Sequence, residues 1–330
     1  MSRNHGLYAA LFTVALLVQA LPNAADAAPV PNGNITALRA AITNAAPGGT
    51  IVLAANGTYT LDGTELEIVK KLTINGRGAT ISGNAASRVI YVSNTGNLTL
   101  RDVIITGGSA DTGGGIYNIG TVTLSGSSSV SGNTAPVGGG IANVQVGTVT
   151  LSDKSSVSGN TASLGGGIAT NSGTVTLKDK SSVSGNTASL GGGIFNSYGT
   201  VTLSDTSSVS GNEANDGGGG IYNNSSTVTL KDTSRVSGNT AEAGGGIFND
   251  EYSTVTLKDK SSVSGNEAND GGGGIYNDEY ATVTLKDKSS VSGNTAAGNG
   301  GGIYNGGTLN NANAGGNVRN NQPDQIYNYP

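Results

Sequence analysis

From Gly113 to Asn305 the chain repeats a single pattern of apolar and polar positions. One full copy runs from Gly271 to Asn294, GGGGIYNDEYATVTLKDKSSVSGN. Glycines lead into an Ile-x-Asn step, then Thr-Val-Thr-Leu, a charged turn and Ser-Val-Ser-Gly-Asn. The Ile recurs at 116, 141, 168, 194, 221, 247, 275 and 303, at spacings of 25 to 28 residues. The short alternating runs predict strands whose successive side chains face opposite ways. Ile275, Asn277, Val283, Leu285 and Val291 then point inward, while Tyr276, Thr282, Thr284, Ser290 and Ser292 point outward. A handful of buried side chains cannot offset the entropy of ordering a whole coil, so each copy needs a neighbour above and below.

The lead-in has a different pattern. Ile35 to Ala45 carries apolar residues at helical spacing, with Asn34 placed as N-cap and Pro47-Gly48-Gly49 as the stop. Short alternating runs follow at 50–53, 58–61, 66–69, 72–74, 79–81, 89–92, 98–100 and 103–105, with Gly, Asn and Asp between them. No second helical segment separates these runs. Parallel strands without helical crossovers can pair when each strand meets its equivalent one coil later. The expected fold is therefore all-β, a parallel β-helix (solenoid) with a short N-terminal capping helix. Its parts are a cap over 28–48, irregular coils over 49–110, regular coils over 111–305 and a C-terminal cap over 306–330. That last segment is rich in Asn and carries Pro323 and Pro330, which cannot continue a ladder.

Stacking turns sequence positions into columns. Asn133, Asn160, Asn186, Asn212, Asn239, Asn266 and Asn294 form one asparagine column. Asn118, Asn143, Asn196, Asn223, Asn249, Asn277 and Asn305 form another, broken at Thr170. Amides stacked this way can hydrogen-bond along the axis, which is a structural role.

Composition narrows the chemistry. Residues 1–27 read as an export signal, with an apolar run over Leu7–Leu21 and Ala25-Asp26-Ala27 before the cut. The expected location is secreted or extracellular, with association to a cell surface and no transmembrane anchor. Removing the signal takes away His5, the chain's one histidine, and there is no cysteine. An imidazole base, a thiol nucleophile and a His/Cys metal cluster are thereby excluded from the mature chain. The formal net charge of -5 argues against nucleic acid as a partner.

The runs LRAAITNAAPGGTIVLAANGTYTL (38–61) and LTINGRGATISG (72–83), with the GGGIYN, TVTL and SGNTA steps, resemble secreted β-helix proteins of the pectate-lyase-like superfamily. The nearest resemblance is to the polymorphic outer membrane protein repeat group. It covers nearly all of the chain beyond the signal and implies a right-handed, single-stranded β-helix with an adhesive role at a cell surface. The superfamily's lyases imply Ca²⁺ held by aspartates and an arginine base. No arginine here matches that base, and the F-x-x-N step of the outer membrane group stands here as Ile-Phe/Tyr-Asn.

Four outward stripes are candidates for function. Asp250-Glu251 and Asp278-Glu279 occupy equivalent loops in adjacent coils, where like carboxylates splay into water or hold a hard cation such as Ca²⁺. Glu213, Asp216, Glu267 and Asp270 form a second acidic set. An Asp column (153, 179, 205, 232, 259, 287) with flanking lysines reads as mutual compensation, with Asp also serving the turn. The aromatic column Tyr117, Phe195, Tyr222, Phe248, Tyr276 and Tyr304, interrupted by Ala142 and Ala169, either braces the sheet or meets a carbohydrate or cell-surface protein. Tyr222, Phe248, Tyr276 and Tyr304 of this column, with Tyr280 from the acidic loop nearby, are the ligand-binding candidates. Thr-x-Thr pairs in seven coils, from Thr121/Thr123 to Thr282/Thr284, resemble the flat threonine array of ice-binding β-helices. The expected function is a non-enzymatic adhesive or structural module. The alternatives are a polysaccharide lyase or glycoside hydrolase using surface carboxylates, and ice binding.

Overall fold

A computed structural model describes residues 28–329. The signal expected at 1–27 lies outside the described residues. The chain winds as a parallel β-solenoid. Its Ile-x-Asn strands stack into an eleven-stranded sheet running from Leu66–Ile68 to Ile326–Asn328. The Thr-Val-Thr-Leu and Ser-Val-Ser strands build a twenty-stranded sheet, with the charged turn joining its two halves in each regular coil. A third sheet of five short strands, Thr187–Leu190 to Thr295–Ala296, precedes the glycine run in the later coils. The sequence pattern does not announce that third sheet. Each of its strands buries an alanine, and three of the five are only two residues long, too short a run to show a period.

Every regular strand pairs with its equivalent one coil away. Ile247, Ile275 and Ile303 align, as do Val255 with Val283 and Val263 with Val291. The predicted facing holds: Ile275, Val283, Leu285, Val291 and Asn277 are buried, whereas Tyr276, Thr282 and Thr284 are half-exposed. The glycine run is demanded by backbone crowding. Gly272 sits at φ +67°, and a Cβ on Gly274 would lie 2.5 Å from the Gly302 carbonyl oxygen.

The asparagine columns are hydrogen-bonded ladders. Asn212 Nδ2 donates to Asn239 Oδ1 at 2.9 Å and to the Val183 carbonyl at 3.1 Å. Its Oδ1 accepts from Asn186 Nδ2 at 2.9 Å and from the Asn186 backbone N–H at 3.0 Å. This ladder runs on to Asn321. In the second ladder Asn277 Nδ2 donates to Asn305 Oδ1 at 2.8 Å. There the break has a visible effect: Asn143 donates to Thr170 Oγ1 at 3.1 Å, and Asn196 Oδ1 in the following coil is buried without a donor.

The helix spans Ile35–Asn44, with Asn34 Oδ1 accepting from the Ala37 N–H at 2.8 Å. It buries Leu38 and Ile42 against the first coils. Two expectations need correction. The runs at 72–74 and 79–81 belong to one strand, Lys71–Ser82, bulged between Asn75 and Ala79, and those at 98–100 and 103–105 belong to Asn97–Thr106. The corner in these early coils is Arg77 and Asp102, both at positive φ like the turn aspartates of later coils. The ladder also extends past Asn305. Val318 aligns with Val291, and Ile326–Asn328 with Ile303–Asn305, so Pro323 lies between paired strands and does not end them.

Candidate functional site

The outward residues of the Ile-x-Asn sheet form a true ring stack. Phe195, Tyr222, Phe248, Tyr276 and Tyr304 lie nearly parallel, with centroids 5.5, 5.0, 4.7 and 4.6 Å apart in turn. Tyr91 and Tyr117 make a separate stack at 5.7 Å. Stacking consumes the ring faces, so along most of the column a partner meets edges and hydroxyls. Burial with its neighbours pushes the Tyr276 phenol up to about 12, keeping it a neutral donor.

The interruption at Ala142 and Ala169 is filled. Four residues before the coil's Ile stand Val137 and Leu164 in those two coils, whereas Gly217 and Gly271 stand there beside Tyr222 and Tyr276. A Cβ on Gly217 would lie 3.1 Å from the Phe248 ring and 3.3 Å from Tyr222. Side chain and ring thus draw on the same space. Leu190 beside Phe195 shows that both can share a coil, as do Ala243 beside Phe248 and Asn299 beside Tyr304.

The loop leaving this sheet carries the acids. Asp250 is well satisfied: its Oδ2 accepts from the Tyr222 hydroxyl at 2.8 Å and from Asn224 Nδ2 at 2.7 Å. Burial and that hydrogen bond raise the Tyr222 phenol well above its usual value. Asp278 has lost both donors, because Phe248 and Asp250 occupy the places of Tyr222 and Asn224 one coil on. What remains is the Glu279 N–H, 2.8 Å from its Oδ1. Among the described residues no group of three or more His, Cys, Asp or Glu is placed to hold a metal ion.

The tip of the same loop holds residues that the aromatic column does not contain. Tyr198, Tyr252 and Tyr280 all sit two residues before the Thr-Val-Thr-Leu strand, at φ 51°, 58° and 61°. They are 66%, 68% and 62% exposed. Ser172 and Ser225 fill this left-handed position in neighbouring coils. Tyr252 and Tyr280 stack at 5.6 Å, and each leaves one ring face open. The Glu279 carboxylate raises the Tyr280 phenol. Tyr198 was legible only by aligning each residue to the following Thr, since it lies outside the acidic loops.

The aspartate column serves the turn, as expected, and in addition bonds along the axis. Asp153, Asp179, Asp205, Asp232, Asp259 and Asp287 all lie at positive φ. Each of the last five carboxylates accepts from the backbone N–H of the aspartate one coil earlier, for example Asp179 N–H to Asp205 Oδ2 at 3.1 Å. No turn lysine enters an ion pair among the described residues; those pairs are Arg39–Asp62, Arg88–Glu65 and Arg101–Asp102. The axial bonds, and the neighbouring lysine charges after them, hold Asp205 below the ordinary carboxylate value. A groove of about 440 Å³ beside the helix is likewise structural, since its Arg39 is committed to Asp62 and to the Glu65 carbonyl.

The threonine face is longer than the regular repeat. Thr50, Thr73, Thr99, Thr123, Thr150, Thr176, Thr202, Thr229, Thr256 and Thr284 align in ten consecutive coils. The column beside it runs unbroken from Thr121 to Thr308.

A model of the Chlamydia polymorphic membrane protein repeat matches residues 288–306. Together with the parallel solenoid, that match supports a likeness to polymorphic membrane protein β-helices. The matched stretch holds one Ser-Val-Ser-Gly-Asn end, a glycine run and Ile303-Tyr304-Asn305. The repeat thus coincides with residues that build the coil. No curated protein and no solved structure matches the chain. A β-helix of this kind fits a surface or adhesin-like structural module, and the repeat suggests an outer-membrane or surface protein. No helix among the described residues is long and apolar enough to cross a membrane.

Proposed function

We propose that this protein is a secreted or surface-held rod that binds a partner, non-enzymatically, through the loop edge carrying Tyr198, Tyr252 and Tyr280. The observation that carries the reading is the exposure of three tyrosines in a backbone conformation that L side chains disfavour. Serine fills the same position elsewhere, so the fold does not ask for an aromatic. Exposed aromatics, two of them (Tyr252 and Tyr280) beside carboxylates, suit a carbohydrate or protein surface. The test is binding of the full chain to intact cells and to immobilised glycans. Tyr198→Ser, Tyr252→Ser and Tyr280→Ser together should reduce binding at least tenfold with no loss of thermal stability. Unchanged binding by the triple variant overturns the reading.

The ten-coil threonine column favours a second reading, ice binding by an uncharged array of methyls and hydroxyls at fixed spacing. Its test is thermal hysteresis, which Thr202→Tyr should abolish. Absence of hysteresis in the unaltered protein ends this reading.

A further inference from the structure

At the C-terminal end of the solenoid the loop after the Ile-x-Asn strand shortens, as it also does at Ile119-Gly120. Four residues, Asp278-Glu279-Tyr280-Ala281, separate Asn277 from the next strand, whereas only Gly306-Gly307 separate Asn305 from its strand. The shortened loop leaves the one before it uncovered. A cleft of about 520 Å³ opens there, lined by Tyr276, Tyr304, Tyr329, Asp278, Glu279 and Gly306.

The chemistry in this cleft is unbalanced in one direction. Asp278 lacks the tyrosine and asparagine donors that satisfy Asp250. Gly306 stands where Asp250 and Asp278 stand in their own coils, so Tyr276 has no carboxylate above it. Neither Asp278 nor Glu279 enters an ion pair among the described residues, and the turn lysines belong to the strand junction beyond Leu285. Two carboxylates without a counter-charge, beside three tyrosine hydroxyls, recognise a cation that can donate several hydrogen bonds. Tyr329 is 62% exposed and closes the ring stack at a tilt, 6.1 Å from Tyr304.

We infer that this cleft binds the side-chain cation of a lysine or arginine presented by a basic segment of a partner protein. The stacked rings offer edges and hydroxyls here more than open faces, which favours a narrow alkyl cation over a pyranose ring. The inference names the partner chemistry for the adhesive reading and rests on that reading only for where the cation comes from. It gives the two neighbouring loops different roles: Asp250 is held by its own chain, and Asp278 is held open for a ligand.

The test is calorimetric titration of the full chain with the peptide acetyl-Gly-Lys-Gly-Lys-Gly-amide, alongside its norleucine counterpart. Saturable binding of the lysine peptide and none of the norleucine peptide is expected. Asp278→Asn with Glu279→Gln should weaken binding at least tenfold, while Glu213→Gln with Glu242→Gln, the same loss of charge elsewhere, should change it less than twofold. The asparagine keeps the acceptor for the Glu279 N–H, so the loop is retained, and matched melting temperatures check this. Equal weakening by both charge variants, no saturable binding, or binding of a glucosamine oligomer in place of the peptide overturns the inference. Running the cell-binding assay in parallel separates the two ideas. Surface binding without peptide binding sinks the cleft alone, and peptide binding without surface binding sinks the adhesive reading alone.

Discussion

The inner asparagine ladder and the outer ring ladder obey the same stacking repeat, yet only one of them tolerates gaps. The inner ladder from Asn133 to Asn321 is unbroken. The outer one loses its ring at Ala142 and Ala169 and continues with Val137 and Leu164 at the neighbouring position. The difference lies in what each side chain asks of its neighbours. An asparagine both gives to the next coil and receives from the previous one, so a replacement leaves polar groups stranded in a buried place. A ring asks only for volume, which another residue can supply. Replacement at a position with axial hydrogen bonds leaves a mark, as Thr170 does by leaving Asn196 Oδ1 without a donor, whereas replacement at a position with only packing strands no polar group.

The largest effect should follow from breaking the inner ladder in its middle. Asn212→Ala removes the acceptor of the Asn186 backbone N–H and one acceptor of Asn186 Nδ2, and takes one donor each from Asn239 Oδ1 and the Val183 carbonyl; it should destabilise by about 3 kcal/mol in urea denaturation. The outer ladder should answer to volume instead. Gly217→Leu should cost about 2 kcal/mol by overpacking Phe248 and Tyr222, and adding Phe248→Ala should return part of that loss in a double-mutant cycle. Strictly additive losses would show that the two positions do not share space. The natural break in the second inner ladder allows the opposite experiment. Thr170→Asn supplies a donor to the orphaned Asn196 Oδ1 and should stabilise by about 1 kcal/mol.

The smallest effect concerns the aspartate column, which is axial like the asparagines but exposed. Asp205 has a depressed value in the folded state, so its contribution is complete above the ordinary 3.8 and is lost as pH falls through the lower folded value. Asp205→Asn should therefore leave the melting temperature at neutral pH almost unchanged and flatten its decline below about pH 4. A large loss at neutral pH would mean that the charge, and not the turn, matters there.

The solenoid was legible because alternation and a constant spacing act over many coils, and no single residue had to be decisive. Ile275, Asn277 and Val291 could each be placed inward from Gly271–Asn294 alone. The merged strands at Lys71–Ser82 and Asn97–Thr106 were not legible, since Asn-Gly-Arg-Gly and Arg-Asp read as breaks while the backbone keeps pairing around them. The axial bonds of the aspartates were not legible, because sequence gives spacing across the surface but not the direction of a carboxylate. Their left-handed backbone aims them along the axis. The candidate edge was half legible. Asp250, Asp278 and Tyr280 were visible as a repeated acidic loop, whereas the contrast between a satisfied Asp250 and an unsatisfied Asp278 depends on residues in the coil before each.

Because every coil bonds only to the one before and the one after, the rod has a natural unit of length. Duplicating or deleting one whole repeat would lengthen or shorten it by about 4.8 Å and leave the remaining columns in line. Reach from an anchoring point can therefore change by tandem duplication without redesign of either end. A copy that carries a tyrosine loop adds a contact point with the same event that adds length.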